Sequence, residues 1–165
     1  MTRGAQKRKR VLAIASGGGH WIQLNRLSPS WKNMDVFYAS TMPGTEKALH
    51  DSAKLSGQAI PRYYSLPEAN QWHKFKLAVL VLKITILLLR IRPDFVITTG
   101  AAHGYFAILI GKFLGAKTIW IDSIANAEEM SGSGQLVRRH ADVWLTQWPH
   151  IANSNGGPGY EGAVL

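Results

Sequence analysis

The stretch VLAIASGGGHWIQL, Val11 to Leu24, runs five apolar or small residues into Ser16, then three consecutive glycines, then His20. An apolar run without polar alternation is the pattern of a strand buried on both faces of a parallel sheet. Glycines directly after such a strand permit positive φ and let a ligand approach the main chain. A helix starting near His20 would present free N–H groups and the positive end of its dipole, which suits a phosphate or diphosphate. Ser16, Gly17, Gly18 and Gly19 are therefore candidate diphosphate-binding residues. The spacing is neither the dinucleotide fingerprint G-x-G-x-x-G nor a P-loop, because no Gly-Lys-Ser/Thr follows. A tight turn without a ligand is the plain alternative.

Working outward, short β-rich runs alternate with longer helical ones. Arg10–Ala15, Asp35–Ala39, Ile60–Leu66, Phe95–Thr99, Thr118–Asp122 and Val143–Trp148 read as strands. Helices are predicted near His20–Leu27, Thr45–Ser56, Trp72–Ile91, His103–Leu114 and Glu128–His140. This alternation argues for an α/β fold, a doubly wound parallel sheet with helices on both faces. The turn-rich segment NSNGGPGYEG, Asn153 to Gly162, reads as a linker or a final short strand.

The glycine turn has an echo. TTGAAHGYF, Thr98 to Phe106, also ends a strand with Gly, two small residues and His, so Gly17–His20 and Gly100–His103 share one form. In a sheet of order 3-2-1-4-5, strands one and four are neighbours at the switch point, where ligands bind. The two turns would then flank one crevice. His20 is a candidate general base and His103 a candidate ligand contact, since an imidazole titrates near neutral pH; a capping or packing role is the alternative for each. After the fifth strand, Asp122, Ser123, Asn126, Glu128 and Glu129 fall on the same side of the sheet. Capping explains part of that pattern. Acceptor-hydroxyl binding by Asp122 and Asn126, or base chemistry by Glu128, would explain the rest.

The formal net charge of +9 over 165 residues is concentrated. Arg3, Lys7, Arg8, Lys9 and Arg10 crowd a basic tail, residues 1–10, and Lys74, Lys76, Lys83, Arg90 and Arg92 occupy an acid-free zone from Ala69 to Pro93. Such clusters point to an anionic partner, a nucleic acid or a membrane surface. No aromatic-basic recognition motif supports nucleic acid. With no cysteine, disulfides, thiolate zinc sites and cysteine nucleophiles are excluded. The other histidines lack metal spacing, so no metal and no cofactor is expected. The six apolar or small residues after the basic tail are too few for a signal peptide.

The segment WHKFKLAVLVLKITILLLRIRPD, Trp72 to Asp94, is almost wholly apolar from Leu77 to Ile91, with Lys76, Lys83 and Arg90 recurring every seven residues. Fifteen apolar residues reach only about 22 Å, short of the ~30 Å of a bilayer core. A spanning helix is disfavoured. Residues 72–91 are expected to lie in a membrane interface, with Trp72 as anchor and the cations Lys76, Lys83 and Arg90 at lipid phosphates. The alternative is an ordinary crossover helix.

The segments ASGGGHWIQLNRL, TTGAAHGYFAILIGKFLGAKTIWIDSIANAEEMSGSGQLVRRHADVWLTQWP and GPGYEGAVL resemble the PssD-type subunit of bacterial exopolysaccharide glycosyltransferases. That group is similar to the membrane-anchor subunit of the dolichol-diphosphate N-acetylglucosaminyltransferase and, more distantly, to the N-terminal domain of the lipid-II-forming transferase. The resemblance implies that residues 11–165 form one Rossmann-like domain, the acceptor-binding N-terminal half of a GT-B glycosyltransferase. A separate C-terminal-type subunit would bind the nucleotide sugar, and the acceptor would be a polyprenyl-diphosphate-linked oligosaccharide at the cytoplasmic face of the inner membrane. By the same resemblance, Gly17–His20 and Gly100–His103 would face the acceptor, with His20 or Glu128 as base for inverting transfer and UDP-glucuronate as the suggested donor. A non-catalytic anchor that recruits and activates its partner is the competing reading. The paired glycines in EEMSGSGQL depart from a regular helix start.

Overall fold

The computed structural model describes residues 8–55, 60–68, 74–153 and 155–164. Seven parallel strands form one sheet: β1 Arg10–Ala15, β2 Asp35–Ser40, β3 Arg62–Ser65, β4 Phe95–Thr98, β5 Lys117–Ile121, β6 Val143–Thr146 and β7 Gly159–Tyr160. Their order is β3-β2-β1-β4-β5-β6-β7, with Ile14 beside Thr98 where β1 meets β4. The fold is doubly wound and Rossmann-like, and the switch point lies between β1 and β4.

Val11 to Ala15 are fully buried, as a central strand covered on both faces requires. Val11, Ala13 and Ala15 pack with Trp21, Leu24 and Leu49 of α1 (Gly19–Arg26) and α2 (Thr45–Leu55). Leu12 and Ile14 pack with residues of α3 (Lys74–Ile91) and α4 (Ala101–Phe113). The turn-rich segment near residue 160 provides β7, a two-residue edge strand on β6.

Two expectations change. The predicted helix over Glu128–His140 is only α5, Gly132–Val137, because Ser131 caps it and residues 122–131 form a loop. Glu128 and Glu129 are exposed in that loop. The other change concerns α3, for which sheet packing and an exposed apolar surface had stood as alternatives. They coexist. Leu80, Ile84, Leu87, Leu88 and Ile91 are buried, whereas Phe75 is 81% and Leu82 59% exposed, with Ile86 and Leu89 on the same open side. Lys76, Lys83 and Arg90 are exposed beside them. Trp72 lies outside the described residues. Among the described residues, no helix is long and apolar enough to cross a membrane.

Part of the basic cluster is used internally. Lys9 pairs with Asp94 at 2.7 Å, and the Arg10 guanidinium donates to the Ile91 carbonyl at 2.6 Å, capping α3. The Lys9 hydrogen bond and the Arg10 N–H hold the Asp94 carboxyl below its ordinary value.

Candidate functional site

The two glycine–histidine turns come together. The His20 Nδ1 lies 2.8 Å from the Thr99 carbonyl oxygen, and the Thr99 hydroxyl donates to the His20 carbonyl at 2.7 Å. A carbonyl only accepts, so Nδ1 carries a proton, and in the neutral ring the lone pair then sits on Nε2. The imidazole lies against Gly100, where an added Cβ would sit 2.7 Å from Cε1. Gly100 has φ of 128°, and Ala101, next in the turn, has φ of 64°. Glycine takes such a φ freely, whereas a non-glycine residue held there, as Ala101 is, costs about 1–3 kcal/mol, and such residues gather at functional sites.

His20 opens onto a cavity of about 440 Å³ at the C-terminal edge of the sheet. Ser123, Asn126, Ser131, Ser133 and Leu136 form its other wall. No Lys, Arg, Asp or Glu is among the lining residues. Neutral hydroxyls and an amide suit the hydroxyl groups of a sugar. The exposed Gly18 and Gly19 at the start of α1 add main-chain groups at the positive end of a helix. Gly17 instead donates its N–H to the Thr41 hydroxyl at 3.0 Å, and Ser16 is half-buried beside it.

The remaining candidates are placed differently. His103 is 3% exposed, its Nε2 donates to the Pro67 carbonyl at 3.0 Å, and it does not line the crevice. Burial pushes its pKa down, so the imidazole is held neutral. Asp122 is 1% exposed and bonded entirely to donors of this chain, Asn126 among them. Glu128 is exposed and not part of the cavity wall, so of the two candidate bases only His20 faces the crevice.

Sequence reasoning missed two residues that join the walls. The Gln23 side-chain amide donates to the Ser123 hydroxyl at 3.2 Å and accepts from the Ile124 N–H at 3.1 Å. Gln147 donates to Gln23 at 2.6 Å and to the Asp122 carbonyl at 2.8 Å, and accepts from the Val164 N–H. The available signal was a glutamine between Trp21 and Leu24 on the buried side of α1. Thr99, which orients His20, read only as the end of a strand.

A larger cavity, about 620 Å³, lies at the opposite edge of the sheet, below the C-terminal ends of α3 and α4. Helix C-termini disfavour anions, and two of the three lining cations are engaged, Lys9 with Asp94 and Lys117 with Asp142 at 3.8 Å. Among the described residues, no group of three or more His, Cys, Asp or Glu could hold a metal ion.

The fold has known counterparts. MurG of Acinetobacter baumannii superposes with a TM-score of 0.67 at 16% identity, over 89% of this chain and 44% of that one. The UDP-N-acetylglucosamine 2-epimerase of Rickettsia bellii superposes with a TM-score of 0.62 at 16% identity, over 87% of this chain and 40% of that one. This chain thus spans less than half of either. In sequence it is 25% identical over 181 residues to the mouse UDP-N-acetylglucosamine transferase subunit ALG14, covering 94% of this chain and 83% of that protein. It is 32% identical over 77 residues to the corresponding alg14 subunit of Schizosaccharomyces pombe, covering 44% of this chain and 37% of that protein. Residues 50–164 match the family described as oligosaccharide biosynthesis protein Alg14 like, and the chain belongs to that family.

Proposed function

We propose that this chain is the acceptor-binding, membrane-associated subunit of a two-chain glycosyltransferase, with residues 11–165 as the N-terminal half of a GT-B enzyme. The observation that carries the reading is His20, oriented by the Thr99 carbonyl with the lone pair of the neutral ring on Nε2, beside a hydroxyl-lined cavity. Nε2 takes the proton of an acceptor hydroxyl, that oxygen forms the new bond to the anomeric carbon, and the bond from that carbon to the nucleotide diphosphate breaks with inversion. The partner subunit holds the nucleotide sugar and receives the leaving UDP. Gly18, Gly19 and the α1 N-terminus, with Gly100 close by, face the acceptor's polyprenyl diphosphate. Asn126 contributes to the sugar-facing wall. The open face of α3, with Phe75, Leu82, Lys76, Lys83 and Arg90, lies on the cytoplasmic leaflet of the inner membrane as a peripheral contact.

The biological setting we propose is exopolysaccharide synthesis of the PssD type. For the donor, UDP-glucuronate follows from that setting, whereas both curated relatives are named as UDP-N-acetylglucosamine transferase subunits. A second reading, a non-catalytic anchor that recruits and activates its partner, is favoured by the same open face of α3, which lies outside the crevice. The test is transfer from labelled UDP-glucuronate and UDP-N-acetylglucosamine to a polyprenyl-diphosphate-linked acceptor by membranes carrying this chain, its partner, or both. Activity only with both chains, lost about 10²–10⁴-fold in His20→Ala with the complex intact, supports the catalytic reading. Unchanged activity of the His20→Ala complex leaves only the anchor.

A further inference from the structure

We propose that Asp122 is a positioning residue: it locks the Asn126 side-chain amide so that the Asn126 carbonyl oxygen is the acceptor offered to the ligand in the crevice. This rests on the glycosyltransferase reading only for its kinetic consequence.

Asp122 directly follows β5 and is buried without an ion-pair partner among the described residues. Each of its carboxylate oxygens accepts two bonds. Oδ1 takes the Trp120 indole N–H at 3.1 Å and the Ser131 hydroxyl at 2.6 Å. Oδ2 takes the Ser131 N–H at 2.7 Å and the Asn126 Nδ2 at 3.2 Å. A carboxylate saturated in this way has no capacity left for a ligand, but it determines what its neighbours can offer. Because a carboxylate oxygen only accepts, the Asn126 amide turns its NH2 inward, and Oδ1 is the group left to meet a hydroxyl or amide N–H. The same carboxylate holds Ser131, whose hydroxyl accepts the Gly134 N–H at 2.9 Å as the cap of α5. Gly134 makes room for the cluster, since a Cβ there would lie 2.9 Å from Asp122 Oδ1. From outside, the Trp148 indole donates to the Ile124 carbonyl at 2.8 Å and His150 Nε2 lies 2.6 Å from the Ala127 carbonyl, so the loop is fastened on both sides.

Asp122→Asn keeps the shape and replaces one acceptor with a donor, so whichever way the new amide lies it opposes existing donors. In the two-chain complex, Asp122→Asn and Asn126→Ala are each expected to raise KM for the lipid-linked acceptor about tenfold, the size of one lost hydrogen bond, with kcat within about twofold. Their combination is expected to raise KM no further, because both remove the same contact. KM effects that multiply in the double variant, or a loss confined to kcat, overturn the proposal. A second readout does not depend on transfer: in the 15N-labelled chain, the Asn126 side-chain NH2 pair should exchange slowly in the wild type and rapidly in Asp122→Asn. An unaltered NH2 pair overturns the proposal even where the wild-type complex transfers no sugar, an outcome that by itself speaks against the functional reading alone. Should Asp122→Asn fail to fold, Ser131→Ala removes the hydroxyl bond to Asp122 together with the cap on the Gly134 N–H and is expected to shift the Asn126 pair and KM in the same direction; no shift in either is again refuting.

Discussion

Replacing Gly100 by alanine tests the coupling of the two turns. The new Cβ would stand 2.7 Å from His20 Cε1 and 3.0 Å from Nδ1, against an ordinary carbon contact of about 3.5–4.0 Å. The imidazole must therefore retreat by roughly 1 Å, and a displacement of that size costs about 10²-fold in rate. Alanine at φ of 128° also adds backbone strain, about 1–3 kcal/mol. For a chain of this size that lowers Tm by roughly 2–12 °C. The control is Gly115→Ala, which has φ of 86° and nothing within 4 Å of the added Cβ, at the far edge of the sheet. Both variants carry strain, but only one carries the collision. Thermal melting of each chain, followed by transferase assay of each complex with its partner, separates the two effects. Gly100→Ala should lose about 10²-fold in kcat while Gly115→Ala keeps wild-type activity. Equal activity of the two would refute the claim that Gly100 exists to admit the His20 ring.

Other consequences can be measured on the chain alone. Burial lowers the folded-state pKa of His103 below 6.5, so below pH 6.5 the unfolded chain binds a proton that the folded chain refuses. Stability should therefore fall on acidification from pH 7.5 to 5.5, with a shallower fall for His103→Gln in denaturant titrations; equal slopes would refute this. Asp142 accepts hydrogen bonds from Lys112 and from the Thr118 N–H and hydroxyl, which hold its carboxyl at about 2 against an ordinary 3.8. Its contribution is complete above pH 3.8 and lost as pH falls through about 2, so Asp142→Asn should be less stable at pH 7 and lose less between pH 4 and 2. On α3, Ile84→Ala empties a fully buried position and should cost about 2–5 kcal/mol in urea unfolding. Leu82→Gln, on the open face, should leave unfolding unchanged but weaken sedimentation with anionic vesicles; undiminished sedimentation would refute membrane contact through that face.

What the sequence by itself determined was local. A strand buried on both faces must be a continuous apolar run, so Val11–Ala15 and its neighbours were legible, and glycines before a helix start are legible as a turn at the sheet edge. The doubly wound class also followed from the alternation of elements, whereas the strand order is a property of the sheet. The tertiary structure decided what those pieces do to one another. His20 is oriented by Thr99, 79 residues away, only because β1 and β4 lie side by side. The two matching histidines part company for the same reason: one ring lies against Gly100 at the crevice, the other is buried under Pro67. Asp122 read as a ligand contact, yet burial surrounds it with donors and turns it into an anchor for its own loop. The apolar width of α3 was visible in the sequence, but which face the sheet would cover was not. Hydrogen-bond partners and burial depend on distances between segments far apart in the chain, and local pattern carries no information about those distances.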